Sequence, residues 1–405
     1  MKSIRLCAAA SVMAVCAIAI LAAQSAQAQT YKVLYSFKGQ PDGANPVAGV
    51  TRDAHGNLFG TTGLGGSPGV GTVFKLSTTG KDAVLYSFQG EPDGGVPLAG
   101  LIEDAKGNFY GTTEAGGAHG VGTVFKLSAT GKETVLYSFG ATGTDGGVPN
   151  AGLIRDAKGN LYGTTTEGGV YGGGTVFKLS SAKKETVLYS FCAQSNCADG
   201  DVPYAGVIQD TQGNLYGTTF RGGYYNTDGC IYGCGTVFKL SPTGKETVLH
   251  AFTGSTTGGP DGGFPFGGVV EDGKGNLYGT TWSGGLSGVG TVFKLSKLGK
   301  VTVLYNFCAQ SGCPAAPRAG VIRDGKGNLY GTTEVGGVYN AGAVFRLSTT
   351  GKETTLHSFT GNDGALPFAG VVQDAEGNLY GTTETGGDLS CNPPAGCGVA
   401  FKLTP

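Results

Sequence analysis

Histidine is scarce in this chain, with four in 405 residues. His55, His119, His250 and His357 stand far apart, and no His-Glu-x-x-His pair occurs, so the commonest zinc-hydrolase signature is excluded. Tryptophan occurs once, at Trp282, and charged residues make up only 14% of the chain. No segment shows the 3.6-residue apolar period of an amphipathic helix. Without a helix there is no nucleophile elbow, and the glycine pairs such as Gly168-Gly169 have no helix start with which to cradle a phosphate. After the first 28 residues no apolar run is long enough to span a bilayer as a helix. Those first 28 residues hold two of the 28 basic residues and none of the 29 acidic ones, so the remainder is slightly acidic. The lysines are spread one or two per repeat, which argues against a nucleic-acid partner.

What the chain has in excess is glycine, 77 residues, placed at fixed intervals. The core Gly-Asn-Leu/Phe-Tyr/Phe-Gly-Thr-Thr begins at Gly56, Gly107, Gly159, Gly213, Gly275, Gly327 and Gly377. A period of about 50 residues indicates an array of supersecondary units. Each unit contains four strand-like runs rich in Val, Ile, Tyr, Phe and Thr. They are Ala-Gly-Leu/Val-Ile-x-Asp, as at Ala99 to Asp104, then Asn-Leu-Tyr-Gly-Thr-Thr, Gly-Thr-Val-Phe-Lys-Leu-Ser and Glu-Thr-Val-Leu-Tyr-Ser-Phe. Tight turns of the type Asp-Ala-Lys-Gly-Asn join the first two runs, and Ser-x-Thr-Gly-Lys turns join the last two. In Val135-Leu136-Tyr137-Ser138-Phe139, simple alternation points Val, Tyr and Phe one way and Leu the other, as in a strand covered on both faces. The fold class expected is all-β, a seven-bladed β-propeller with four antiparallel strands per blade. The chain opens on a lone fourth run, Val33 to Phe37, and ends on a lone third run, Gly398 to Leu403. The N-terminal strand is therefore expected to complete the last blade and close the ring.

Residues 1–28 read as an export signal: Lys2 and Arg5, an apolar stretch from Leu6 to Ala23, and the small-x-small site Ala26-Gln27-Ala28. Residues 29–405 are then one propeller domain, secreted or periplasmic. The eight cysteines left form four local pairs: Cys192 with Cys197, Cys230 with Cys234, Cys308 with Cys313, and Cys391 with Cys397. In an exported chain such pairs read as disulfides. Zinc spacing and partner histidines are absent, so no metal is expected. All four pairs fall in the longer loops, on the face opposite the tight turns, and their expected role is to pin those loops.

The pattern Val-Leu-Tyr-Ser-Phe, Asp-Gly, Gly-Asn-Leu-Tyr-Gly-Thr-Thr, Gly-Gly, Gly-Thr-Val-Phe-Lys-Leu resembles the GloVer (Gloeo_Verruco) tandem repeat of exported bacterial proteins. The resemblance covers residues 33–403. More distantly, the layout is similar to NHL-type repeats and streptogramin lyases, which place a Gly-Asn turn before an aromatic strand. The resemblance implies a propeller and supplies no catalytic residue.

The long loops vary just after each Gly-Thr-Thr, where Gly63, Glu114, Thr166, Phe220, Trp282, Glu334 and Glu384 stand. These positions are expected near the mouth of the central channel. Phe220-Arg221 and Tyr224-Tyr225 occupy the longest such loop, tied by Cys230 and Cys234. Wet-surface aromatics provide amphipathic contact area, so the candidate ligand-binding set is Trp282, Phe220, Arg221, Tyr224, Tyr225 and Glu114. The carboxylates Glu334 and Glu384, from neighbouring blades, with His119, form the weaker candidate catalytic set; glycoside hydrolysis needs two carboxylates about 5–10 Å apart. Asp42, Asp93, Asp145, Asp199, Asp261 and Asp363 precede glycine in six of the blade-to-blade loops and are expected to satisfy turn amides, not calcium. His250 and His357 replace the repeated Tyr of the fourth run and read as packing variants. The function expected is a non-enzymatic binding propeller, monomeric and without cofactor, whose partner is an extracellular or envelope glycan or protein. The alternative is a lyase or glycoside hydrolase.

Overall fold

The structure is a computed structural model describing residues 29–225, 230–254 and 261–405, so the expected export signal lies outside the described residues. Seven four-stranded antiparallel sheets follow one another around a ring as a seven-bladed β-propeller. Blade 2 shows the plan: Ile102–Glu103 pairs with Phe109–Thr113, which pairs with Thr123–Leu127, which pairs with Glu133–Ser138. The first strand is shorter than its sequence run. The preceding Ala-Gly lines the channel instead, where each glycine approaches the carbonyl of the neighbouring blade's glycine. An added Cβ on Gly206 would sit 2.6 Å from the Gly152 oxygen. Gly49 lies next to Gly370 and completes the circle.

The Gly-Thr-Thr core explains itself through packing. Gly163 stands opposite Phe177 across the sheet, and a Cβ there would meet the ring at 2.8 Å. The first threonine donates to the Ala/Gly segment just before the inner strand of the next blade, as Thr112 Oγ1 does to the Ala151 carbonyl at 3.0 Å. Seven such bonds run round the ring, and the seventh joins Thr382 to Ala48 at 2.7 Å. In blades 1 to 5 the second threonine bonds its third-strand threonine, as Thr113 Oγ1 does Thr123 Oγ1 at 2.8 Å.

Ring closure follows the expected route. Thr30–Ser36 pairs with Val399–Thr404, so the N-terminal strand is the outer strand of blade 7. The apolar core consists of clusters between adjacent blades. One unites Tyr110, Val124 and Phe139 with Leu153, Leu161 and Phe177. Phe37 joins blade 7 to blade 1 against Phe74, ring centroids 5.0 Å apart.

Strict alternation fails in the fourth strand. Every blade has a bulge there; Val135 pairs with Phe125 and Tyr137 with Val124, leaving Leu136 unpaired. An extra residue turns the pleat. Leu136 and Tyr137 consequently pack against the same cluster instead of opposite faces.

The six loop aspartates behave as turn acceptors. Asp145 accepts from the amides of Gly140, Ala141 and Thr142 and from the Tyr137 hydroxyl. His250 and His357 keep that bond, reaching Asp261 at 2.8 Å and Asp363 at 3.1 Å. The histidines are thus isofunctional with the tyrosine they replace.

Candidate functional site at the channel mouth

Antiparallel order puts both tight turns of every blade on one disc face and both long connections on the other. The long connections also pair. Gly146–Gly147 meets Glu167–Gly168, and bridges such as Asp201 to Arg221 and Gly263 to Ser283 do the same in other blades. This pairing fixes the residue after each Gly-Thr-Thr. The amides of Glu114, Thr166, Phe220, Trp282, Glu334 and Glu384 donate to Val96, Val148, Val202, Phe264, Ala316 and Leu366. Those six acceptors, and Asn45 in blade 1, have φ between 53° and 58° although none is glycine. Such backbone costs about 1–3 kcal/mol per residue and persists only where its surroundings impose it. Here each is held on both sides, since its own amide donates to the preceding blade, as Val148 does to Val121.

Blades 4 to 6 fill their share of the mouth with aromatic rings. Phe220 lies 4.3 Å from Phe266 and 5.2 Å from Phe264, and Tyr204 lies 5.0 Å from Phe266. Trp282 meets Phe266 edge-on at 6.0 Å. Arg318 sits over Phe266 at 4.8 Å and over Phe368 at 4.3 Å. Its Nε donates to Glu334 Oε2 at 2.8 Å, and Trp282 Nε1 donates to the same oxygen at 3.1 Å. Glu334 is therefore a fixed acceptor that orients an arginine and an indole. Glu384, next in the ring, has its carboxyl pKa raised by burial and by Glu334, against the lowering pull of Asn45 and Arg318. Glu114 is raised by burial and by Glu167. On the blade 3 side the mouth is small and polar, with Asn150 donating to Thr166.

The remaining candidates stand outside this cluster. Arg221 lies over Phe220 at 5.8 Å and over Tyr232 at 5.2 Å, linking the mouth to the long loop. Tyr224, Tyr225 and Tyr232 are exposed on that loop. Exposed Tyr171, Leu286 and Tyr339 occupy the equivalent loops of blades 3, 5 and 6. His119 is exposed in blade 2, against Gly140, and is not gathered with Glu334 and Glu384.

All four expected disulfides form: Cys192 with Cys197, Cys230 with Cys234, Cys308 with Cys313, and Cys391 with Cys397. Two of them are also part of the core. Cys230 and Cys234 are buried in the core under Gly254. Cys397 is buried in the cluster that joins blade 7 to blade 1, with Cys391 packed against it, and its carbonyl accepts the Asn45 amide. Those two bridges are small apolar groups in the blade seams, which local spacing along the chain does not reveal. Cys313 behaves as expected: it is half-buried in a loop, and its carbonyl accepts the Gly337 amide of the adjoining long loop. Among the described residues, one group has the composition of a metal site, Cys192, Cys197 and Asp201, and its two sulfurs are joined to each other.

The model of the Gloeobacter/Verrucomicrobia repeat matches residues 21–232 and 224–405. The chain belongs to this family. No curated protein sequence matches this family member. Its fold is similar to that of the extracellular domain of BT4673, a proposed hybrid two component system of B. thetaiotaomicron, at 11% identity and TM-score 0.57. A second structure of that domain gives TM-score 0.56, also at 11% identity. The alignments cover 93% and 92% of this repeat protein but only 39% and 40% of those chains. A gluconolactonase, XC5397 from Xanthomonas campestris, aligns at 15% identity over 82% of this chain and 89% of its own, with TM-score 0.44.

Proposed function

We propose that this repeat protein is an exported, non-enzymatic binding propeller that recognises an extracellular glycan or protein through its long-loop face. The observation that carries the reading is the concentration of aromatic rings at one end of the channel, continued outward by exposed tyrosines on the same face. Sugar faces and apolar side chains both stack on such surfaces. The four disulfides support export, because they persist in oxidising compartments. They also brace the long-loop face, whose segments would otherwise lose most entropy on binding.

A triple Trp282→Ala, Tyr224→Ala, Tyr225→Ala variant should bind any ligand found by a polysaccharide and envelope-protein screen at least a hundredfold more weakly, since truncating an aromatic binding hot spot typically costs about 2 kcal/mol or more. Unchanged affinity in surface plasmon resonance would remove this site.

One observation favours the enzymatic alternative, a lyase or glycoside hydrolase. Glu384 carries a raised pKa beside a second carboxylate, as a general acid does. Against it, Glu334 is already committed to Arg318 and Trp282. Full turnover by a Glu334→Gln, Glu384→Gln double variant on any substrate identified would dispose of that alternative.

A further inference from the structure

The turn lysines are far apart in sequence, but the topology gathers them. The Ser-x-Thr-Gly-Lys turns present Lys81, Lys132, Lys245, Lys300 and Lys352, all exposed. The Asp-x-Lys-Gly-Asn turns present Lys106, Lys158, Lys274 and Lys326 on the same disc face, also exposed. Among the described residues no lysine makes an ion pair; the four recorded pairs belong to His55, His250, Arg318 and His357. The aspartates of these turns stay ionised and offset part of the lysine charge, but their oxygens are turned inward. Asp104 and Asp156, for example, point at the amides and asparagines of their own turns. Exposed carboxylates on this face reduce to Glu103, Glu271 and Glu376.

One turn differs from the rest. Lys297-Leu298-Gly299-Lys300 carries a leucine at its tip that is 95% exposed, the most exposed large apolar side chain described. It stands beside a groove of about 560 Å³ between blades 4 and 5, bordered by Lys239, Lys274 and Lys297 and by Asp210 and Glu271. An apolar tip between two exposed lysines on a lysine-rich disc face matches a lipid surface, where the apolar group enters the acyl boundary and the ammonium groups meet phosphates.

We propose that the tight-turn face docks on an anionic lipid surface, with Leu298 inserted and Lys297, Lys300 and Lys274 on the headgroup phosphates. The opposite face, with the channel mouth, then points away from the lipid. The proposal does not depend on what the mouth binds.

The test is co-sedimentation of the disulfide-intact protein with phosphatidylcholine vesicles, with and without phosphatidylglycerol. The protein should sediment with the anionic vesicles alone and be released by salt, which screens exposed charge beyond about 10 Å at 0.1 M. A Lys297→Gln, Lys300→Gln variant should bind roughly thirtyfold more weakly, each lysine near such a surface contributing about a factor of five. Leu298→Asn should weaken binding at fixed salt. These substitutions lie on exposed turns and should leave the melting temperature unchanged. Equal binding to neutral vesicles, or no binding to anionic ones, would overturn the proposal. So would anionic-vesicle binding that is indifferent to Leu298→Asn and fully competed by duplex DNA, which would mark a surface for polyanions in general.

Discussion

A chain beginning at Lys38 should not unfold cooperatively. Removing residues 29–37 takes away the outer strand of blade 7 and the fully buried Phe37. It also removes Tyr31, which stacks on His357 at 3.7 Å and donates to the Asp363 carbonyl. Truncating one buried aromatic costs about 3–5 kcal/mol. Two aromatics and a strand together therefore approach the whole stability of an ordinary domain, about 5–15 kcal/mol. The open edge of Val399–Thr404 would in addition expose unpaired backbone groups to other chains. A permutant in which Thr30–Phe37 follows Pro405 through a short turn should fold, since Thr30 already pairs with Thr404. Calorimetry separates the cases. A truncated chain that melts like the intact one would contradict the closure described here.

The second large effect is a loss of stability as pH rises. Asp82, Glu133, Glu185 and Glu246 occupy the same position, the start of the fourth strand. Each has its carboxyl pKa raised to about 7, first by burial and then by the loop aspartate of the preceding blade, Asp42, Asp93, Asp145 or Asp199. Asp42 and Asp82 each bury an oxygen that has no donor, and a proton carried by Asp82 can be donated to Asp42. The sign follows from linkage: the folded pKa lies above the unfolded value near 4, so the folded chain holds extra protons between about pH 4 and pH 7. Stability falls through that window and the penalty is complete above about pH 7. The melting temperature should be several degrees lower at pH 8 than at pH 5. A Glu133→Gln, Glu185→Gln, Glu246→Gln variant should flatten the dependence, because an amide keeps the hydrogen-bonding shape of a protonated carboxyl without its charge. A melting temperature that rises from pH 5 to pH 8 would contradict this reading of the blade seams.

Much of the architecture is legible in the repeats because each structural device is a short local pattern. Asp-x-Lys-Gly-Asn closes a turn on itself, and Gly-Thr-Thr encodes both a close approach and a bond to the next blade. Strand count and closure follow from reading those patterns in order. The fourth-strand bulge is not legible, since Val-Leu-Tyr-Ser-Phe satisfies simple alternation equally well. Half of the mouth is not legible either. Tyr204, Phe266, Arg318 and Phe368 stand between Pro and Ala/Gly-Gly, where an apolar residue looks like the start of a strand. Their variability from blade to blade, with a lone arginine among them, is the signal the sequence carries. The cysteine pairing is legible from spacing, but the burial of Cys234 and Cys397 is not, because it depends on the next blade round the ring. The turn lysines look scattered in the sequence for a different reason: even spacing along the chain is what puts them on one face of a ring. A slightly acidic total charge therefore says nothing of how many exposed lysines share one disc face.

Trp282 is the only tryptophan and lies at the centre of the proposed site, so its fluorescence reports on that site alone. The direct measurement is a titration of the disulfide-intact protein with each ligand found in the screen, following Trp282 emission and its quenching by acrylamide. Saturable binding with an emission shift and protection from quenching is the result expected. A ligand that binds tightly and leaves Trp282 emission and quenching unchanged would contradict recognition at the channel mouth.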